Sequence, residues 1–194
     1  AIQRLMKMTP TKAHRITPDG EEEVSANDLV VAVGPYEIGE RQHGDILLRT
    51  YFHAELAGLS DAYLDKTVTY IDRYSDLVGA YPFPGFHVVS TPMQVGLGFP
   101  GMAYMGTKVL RLPFILETSL GHEVLHNWWG NGVYVDYTTG NWAEGLTTFM
   151  ADYAFARDRG PAAARKMRLG WLRDYAALPA ARDHAVVSFT SKVH

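Results

Sequence analysis

Four side chains in this sequence have the types and spacing to do chemistry together. His122-Glu123-Val124-Leu125-His126 places one histidine four residues after another, with a glutamate directly following the first. On an α-helix, positions four apart lie one turn above each other on one face, so both imidazoles can reach a single metal ion with Glu123 beside them. Glu144 follows 18 positions after His126, in the setting Asn141-Trp142-Ala143-Glu144-Gly145. Two imidazoles and a carboxylate form a zinc ligand set that leaves a fourth position for water. Such a metal lowers the pKa of water towards neutrality and polarises a carbonyl. Glu123, close to the metal without binding it, is suited to take a proton from the attacking water and pass it to a leaving amine. The expectation is a site for one Zn²⁺ held by His122, His126 and Glu144, with Glu123 as general base in peptide hydrolysis.

The remaining residues do not offer a rival centre. The chain has no cysteine, which excludes thiolate metal sites and disulfides. His14, His43, His53, His87, His184 and His194 have no partner at metal-ligand spacing and are expected to be surface or hydrogen-bonded polar residues. Ligating histidines need partners on their other ring nitrogens. Asn141, Thr147, Thr148 and Asp152 are close enough in sequence to be considered for that role.

The elements that must position these residues can be read from periodicity. Thr118 or Ser119 is placed to cap the helix carrying His122 and His126, with Leu116, Leu120 and Leu125 toward its buried side. Gly130-Asn131-Gly132 ends it. A second helix is expected over 142–158, with Glu144 in its first turn and Trp142, Leu146, Phe149, Met150 and Tyr153 facing inward. Gly160-Pro161 separates it from a last helix over roughly 162–177, with Met167, Trp171, Leu172 and Tyr175 inward.

Upstream, Leu29–Val33 and Asp45–Phe52 read as an antiparallel strand pair, with Tyr36–Ile38 continuing the first. Ser60 reads as the cap of a helix whose apolar face is Leu64, Val68, Ile71, Tyr74, Leu77 and Val78. Phe86–Ser90 is a further strand, and Ala185–Phe189 reads as extended. From Gln94 to Gly106, four glycines in thirteen residues point to backbone that something else approaches closely. Residues 1–28 read as a tail or the remnant of an upstream β domain, and 29–194 as one α+β unit.

Composition limits the partners. The 194 residues are 47% hydrophobic and 20% charged, with net charge −3, so nothing marks a nucleic-acid partner. No run of 18 apolar residues is present, so no membrane span is expected. No signal peptide is visible, and compartment and oligomeric state stay open. Arg165, Lys166 and Arg168 read as a solvated helix face.

The string HEVLHNWWGN, followed by NWAEG opening a helix, resembles the gluzincin metallopeptidases of the aminopeptidase N family. Tyr81-Pro82-Phe83-Pro84 before the strand at Phe86 resembles that family's connector. The resemblance covers roughly residues 30–194. It implies a thermolysin-like catalytic domain with a small sheet packed on helices, a peptide substrate, zinc on His122, His126 and Glu144, and catalysis through Glu123. Three departures accompany it. The spacer between His126 and Glu144 is 17 residues, one shorter than the family's usual one. Where the family carries a glutamate that anchors a substrate's free amine, this chain has Gly98 or Ala103, depending on register. The stretch Gly98, Gly101, Ala103 and Tyr104 therefore becomes the expected substrate-binding segment without that carboxylate. The family's oxyanion-stabilising tyrosine has no counterpart here and is expected beyond His194, as for a fragment. The competing expectation is a zinc-containing binding module without turnover, or a catalytically weak fragment.

Overall fold

The computed structural model describes residues 12–17, 20–25, 34–93, 95–138 and 140–185. The chain divides into two compact units, Ala1–Gly34 and Pro35–His194. In the first, β1 (Lys12–Thr17) and β2 (Gly20–Ser25) pair antiparallel. The expected strand at Leu29–Val33, the boundary after residue 28, and residues 186–189 of the expected extended piece lie outside the described residues.

The second unit opens with a hairpin, β3 (Tyr36–His43) and β4 (Ile46–His53), turned at Gly44 with φ 56°. The strand expected over Asp45–Phe52 is present, but its antiparallel partner is β3. Strand β3 is an edge strand rich in polar residues, so it carries little of the apolar alternation by which strands are recognised. Strand β4 then runs parallel to β5 (Gly85–Thr91), which requires a crossover. Helix α1 (Ser60–Val78) supplies it, burying Tyr63, Leu64, Thr67, Tyr70, Ile71 and Tyr74 along one stripe. Leu77, expected on that stripe, is exposed instead. Ser60 does not cap α1: its hydroxyl lies 2.5 Å from Thr50 Oγ1, tying the helix start to β4.

Strands β6 (Gly96–Phe99) and β7 (Met102–Gly106) complete a five-stranded mixed sheet in the order β3-β4-β5-β7-β6. The glycine-rich β6 is thus an edge strand, antiparallel to β7. The core lies between one face of this sheet and the helices. Leu48, Phe52, Phe86, Val88, Ala103 and Met105 meet the α1 stripe and Leu120, Val124 and Leu125 of α2 (Ser119–Leu125).

Three helical segments and a last helix follow. Helix α3 (Ala143–Thr148) passes through a π turn (Phe149–Tyr153) into α4 (Ala154–Asp158), and α5 (Pro161–Ala176) begins with proline at its first position. Their packing differs from the expected one. The buried residues are Ala143, Thr147, Ala151, Phe155 and Ala156, while Phe149 is 53% exposed. In α5 only Ala164 is buried, and Leu172 and Tyr175 are both more than 60% exposed. Helical periodicity identifies an apolar face but not whether another element covers it. No described helix is long and apolar enough to cross a membrane. The architecture is an α+β fold, a small mixed sheet packed on helices.

Candidate metal centre and cleft

Helix α2 is sunk into the core and leaves one side free for its histidines. Leu120, Val124 and Leu125 are fully buried. Gly121 permits this depth, because a Cβ there would come within 2.6 Å of Phe155 Cζ and 2.9 Å of the Tyr70 ring. Neither Thr118 nor Ser119 caps the helix through its side chain; the Thr118 hydroxyl donates to Phe114 O at 2.7 Å. After Leu125 the chain tightens into a turn and reverses at Gly130, whose φ of 112° suits glycine.

That reversal brings the Trp129 carbonyl back to His126, 2.9 Å from Nδ1. A carbonyl can only accept, so Nδ1 of His126 carries the hydrogen and Nε2 presents its lone pair. On His122, Nδ1 lies 2.7 Å from Asp152 Oδ2, a carboxylate that likewise fixes the ring and leaves Nε2 toward Glu144 and His126. Of the other residues considered for this role, Thr147 Oγ1 stands 3.4 Å from His126 Nδ1, whereas Asn141 lines the cleft and Thr148 the space beside His122.

Glu144 enters from the first turn of α3. Its Oε2 lies 3.3 Å from Nε2 of both histidines, and the two Nε2 atoms are 3.1 Å apart. A tetrahedral ion with ligands at 2.0–2.1 Å has edges of about 3.3 Å, so the three atoms already stand at the corners such an ion needs. Among the described residues this is the one group of three or more such side chains close enough to hold a metal ion. Burial lowers the proton affinity of His122, but the Asp152 and Glu144 carboxylates, with Glu123 nearby, override it and push the imidazole up to about 10. The negative groups that would attract a cation thus hold a proton, which a metal must displace.

The π turn explains how one helical segment serves both positions. Asp152 follows Glu144 by eight residues, which in a regular helix would rotate it roughly 80° away. The π turn absorbs one residue, so Asp152 takes an angular position close to that of a seventh residue, about 20° from Glu144.

Glu123 lines a cleft of about 210 Å³ together with His126, Glu144, Asn131, Tyr137 and the edge-strand residues Gly96, Leu97 and Gly98. A Cβ on Gly98 would sit 3.0 Å from Glu123 Oε2, so the missing side chain is what lets strand and glutamate approach. The other residues expected along this segment lie elsewhere. Ala103, opposite Gly98 on β7, is fully buried in the core. Gly101 makes the β6–β7 turn at φ 69° and donates its N–H to Asn127 Oδ1 at 2.8 Å. Tyr104 pairs with Leu97 and packs edge-on against Phe99, on the side of the sheet away from Glu123.

Three contributors went unnoticed in the sequence. Buried Asn127 clamps the glycine turn to the end of α2, also donating to Val124 O at 3.0 Å. The Trp129 carbonyl is backbone and leaves no mark in residue identity. Tyr137, which lines the cleft, sits in a spacer without periodicity. Trp128 is core packing, donating Nε1–H to Gly79 O at 2.9 Å. His43 pairs with Asp72 at 2.6 Å and His53 with the Ser90 hydroxyl at 2.7 Å. His87 departs from expectation: it is partly buried beside Tyr51, its Nδ1 lacks a hydrogen-bond partner, and burial, with Arg49 nearby, lowers its pKa.

No family model and no curated protein matches the chain. Solved structures do. An M1 zinc metallopeptidase from Deinococcus radiodurans aligns at TM-score 0.59 and 21% identity, over 94% of this chain and 43% of that one. A mutant of an M1 zinc metallopeptidase from the same organism, bound to a Tyr-Ser-Ala substrate, aligns at TM-score 0.61 and 21% identity, over 94% and 45%. A two-domain M1 zinc metallopeptidase mutant bound to L-arginine gives TM-score 0.58 and 20% identity, over 93% and 45%. This chain therefore shares the fold of these M1 zinc metallopeptidases along nearly its whole length, and spans less than half of theirs.

Proposed function

We propose that the chain is the catalytic part of a zinc-dependent peptidase, with His122, His126 and Glu144 as zinc ligands and Glu123 as general base. The observation that carries this reading is the meeting of three features at one place: the ligand triad at tetrahedral spacing, Glu123, and the glycine edge strand. Bound zinc supplies Lewis acidity, polarising a carbonyl and acidifying water. The chain's own residues do the rest. Edge strand β6 offers unpaired backbone groups to an extended peptide, and Gly96 and Gly98 leave room for it beside Glu123. Glu123 accepts a proton from the attacking water and delivers it to the departing amine nitrogen.

The peptide substrate is supported by the neighbour solved with Tyr-Ser-Ala. The free-amine requirement of an aminopeptidase has less support. Neither Gly98 nor Ala103 provides the carboxylate that would anchor an α-amine. A binding module without turnover would have no use for Glu123 at this position.

The test is Glu123→Gln in the full chain. Zinc content should equal that of the unmodified protein while chelator-sensitive cleavage of a peptide falls by two or more orders of magnitude. A fully zinc-loaded Glu123→Gln protein that cleaves at the original rate would overturn the mechanism.

A further inference from the structure

We propose that Asn127 is a positioning residue for the substrate. Its side-chain amide holds edge strand β6 at the distance from Glu123 and the metal ligands at which one peptide backbone meets both. This rests on the peptidase reading of the cleft and names what keeps the substrate-pairing strand in register with the metal site.

Strand β6 runs past the end of α2 and meets it at successive points. A Cβ on Gly96 would lie 3.7 Å from Glu123 Oε1, and one on Gly98 3.0 Å from Glu123 Oε2 and 3.8 Å from His126 Cβ. Three residues on, at the turn into β7, the Gly101 N–H donates to Asn127 Oδ1 at 2.8 Å. Close approach across absent side chains permits a distance, whereas a hydrogen bond sets one. The residue that supplies this bond directly follows His126. The place of the strand is thus tied to the helix that carries two of the metal ligands.

An amide suits this place because its two ends differ. Asn127 Nδ2 donates to Val124 O at 3.0 Å and to Glu123 O at 3.3 Å, in the last turn of α2. Carbonyls only accept, so the NH2 end must face them and the oxygen must face Gly101. Both Asn127 and Gly101 are buried, so losing the amide oxygen leaves a buried donor unpaired. The strand does not need Asn127 to stay in the sheet. Gly101 O accepts from His87 N at 2.9 Å, and Val95 O, just before β6, accepts from Gly106 N at 2.9 Å. Removing the amide therefore frees β6 from α2 while leaving it in the sheet, and a substrate that must touch both loses its fit.

Binding can be measured without turnover on the full chain carrying Glu123→Gln and loaded with zinc. The probes are a C-terminally labelled hexa-alanine, long enough to pair along β6, and acetohydroxamate, a small zinc ligand that does not reach it. Asn127→Leu should raise the Kd of hexa-alanine about tenfold or more, with zinc content unchanged and the Kd of acetohydroxamate within about twofold. Asn127→Ala, which adds no bulk, should separate the two probes in the same direction. A general loss of structure would move both. With Asn127 in place, the Gly101 amide should exchange with deuterium as slowly as the paired amides of β7. Equal shifts of both probes, an unchanged Kd for hexa-alanine in the variants, or a freely exchanging Gly101 amide overturns the proposal. Failure of the peptidase reading shows differently and ends the proposal with it: acetohydroxamate would bind the zinc-loaded chain, and hexa-alanine would not bind even with Asn127 in place.

Discussion

Helix α2 and the α3–α5 arm serve the same site from opposite conditions. In α2, Leu120, Val124 and Leu125 have no exposed surface, and Gly121 is pressed against Tyr70 and Phe155. In α5 only Ala164 is buried, and Phe149, Trp171, Leu172 and Tyr175 of the arm stand open to solvent. The histidines are therefore held by the packing of the whole domain. The carboxylate side, Glu144 and Asp152, depends on local helix geometry, including one π turn. Damage to the first region should reach everything, and damage to the second should remain local.

The largest expected effect comes from Leu120→Ala. Removing a fully buried leucine should cost about 2–5 kcal/mol of stability, read from the urea midpoint at constant slope, and should weaken zinc binding along with it. A midpoint within experimental scatter of the parent would break the contrast, because α2 would then not be set by the core. Next is Asp152→Asn, which keeps a hydrogen-bond acceptor near His122 Nδ1 and removes the charge. Zinc affinity, measured by competition with a chelator, should fall about 10–100-fold with the urea midpoint little changed. A matching loss of global stability would show that the arm is part of the cooperative core after all. The smallest effect belongs to Leu172→Ser on the exposed side of α5, expected within about 0.5 kcal/mol of the parent. A loss of several kcal/mol there would mean that this face is covered in the folded protein.

Much of the site was legible because ligand chemistry needs particular residue types at particular intervals. His122, Glu123 and His126 declare a shared helix face by number alone, and Glu144 follows in a helix-opening context. Gly98 and Ala103 were alternatives for a single expected position; the structure sets them opposite each other, with Gly98 on the edge strand at the cleft and Ala103 buried in the core. Asp152 was one of four polar residues within reach of the histidines. Its pairing with His122 depends on a π turn that no residue preference announces. The edge strand β3 was largely missed, since an edge needs little apolar alternation, while the crossover helix α1 was found because it buries a continuous stripe.

The sequence alone determined the candidate ligand types, their spacing, the glutamate beside them and the order of helices, because these are local properties of one to a few turns. The tertiary structure decided what closes the site. It set one atom each of His122, His126 and Glu144 3.1–3.3 Å from one another, brought edge strand β6 against Glu123, and left the apolar faces of α3 and α5 lining a groove. Those outcomes depend on contacts between residues far apart in the chain, and periodicity names an apolar face without naming what meets it.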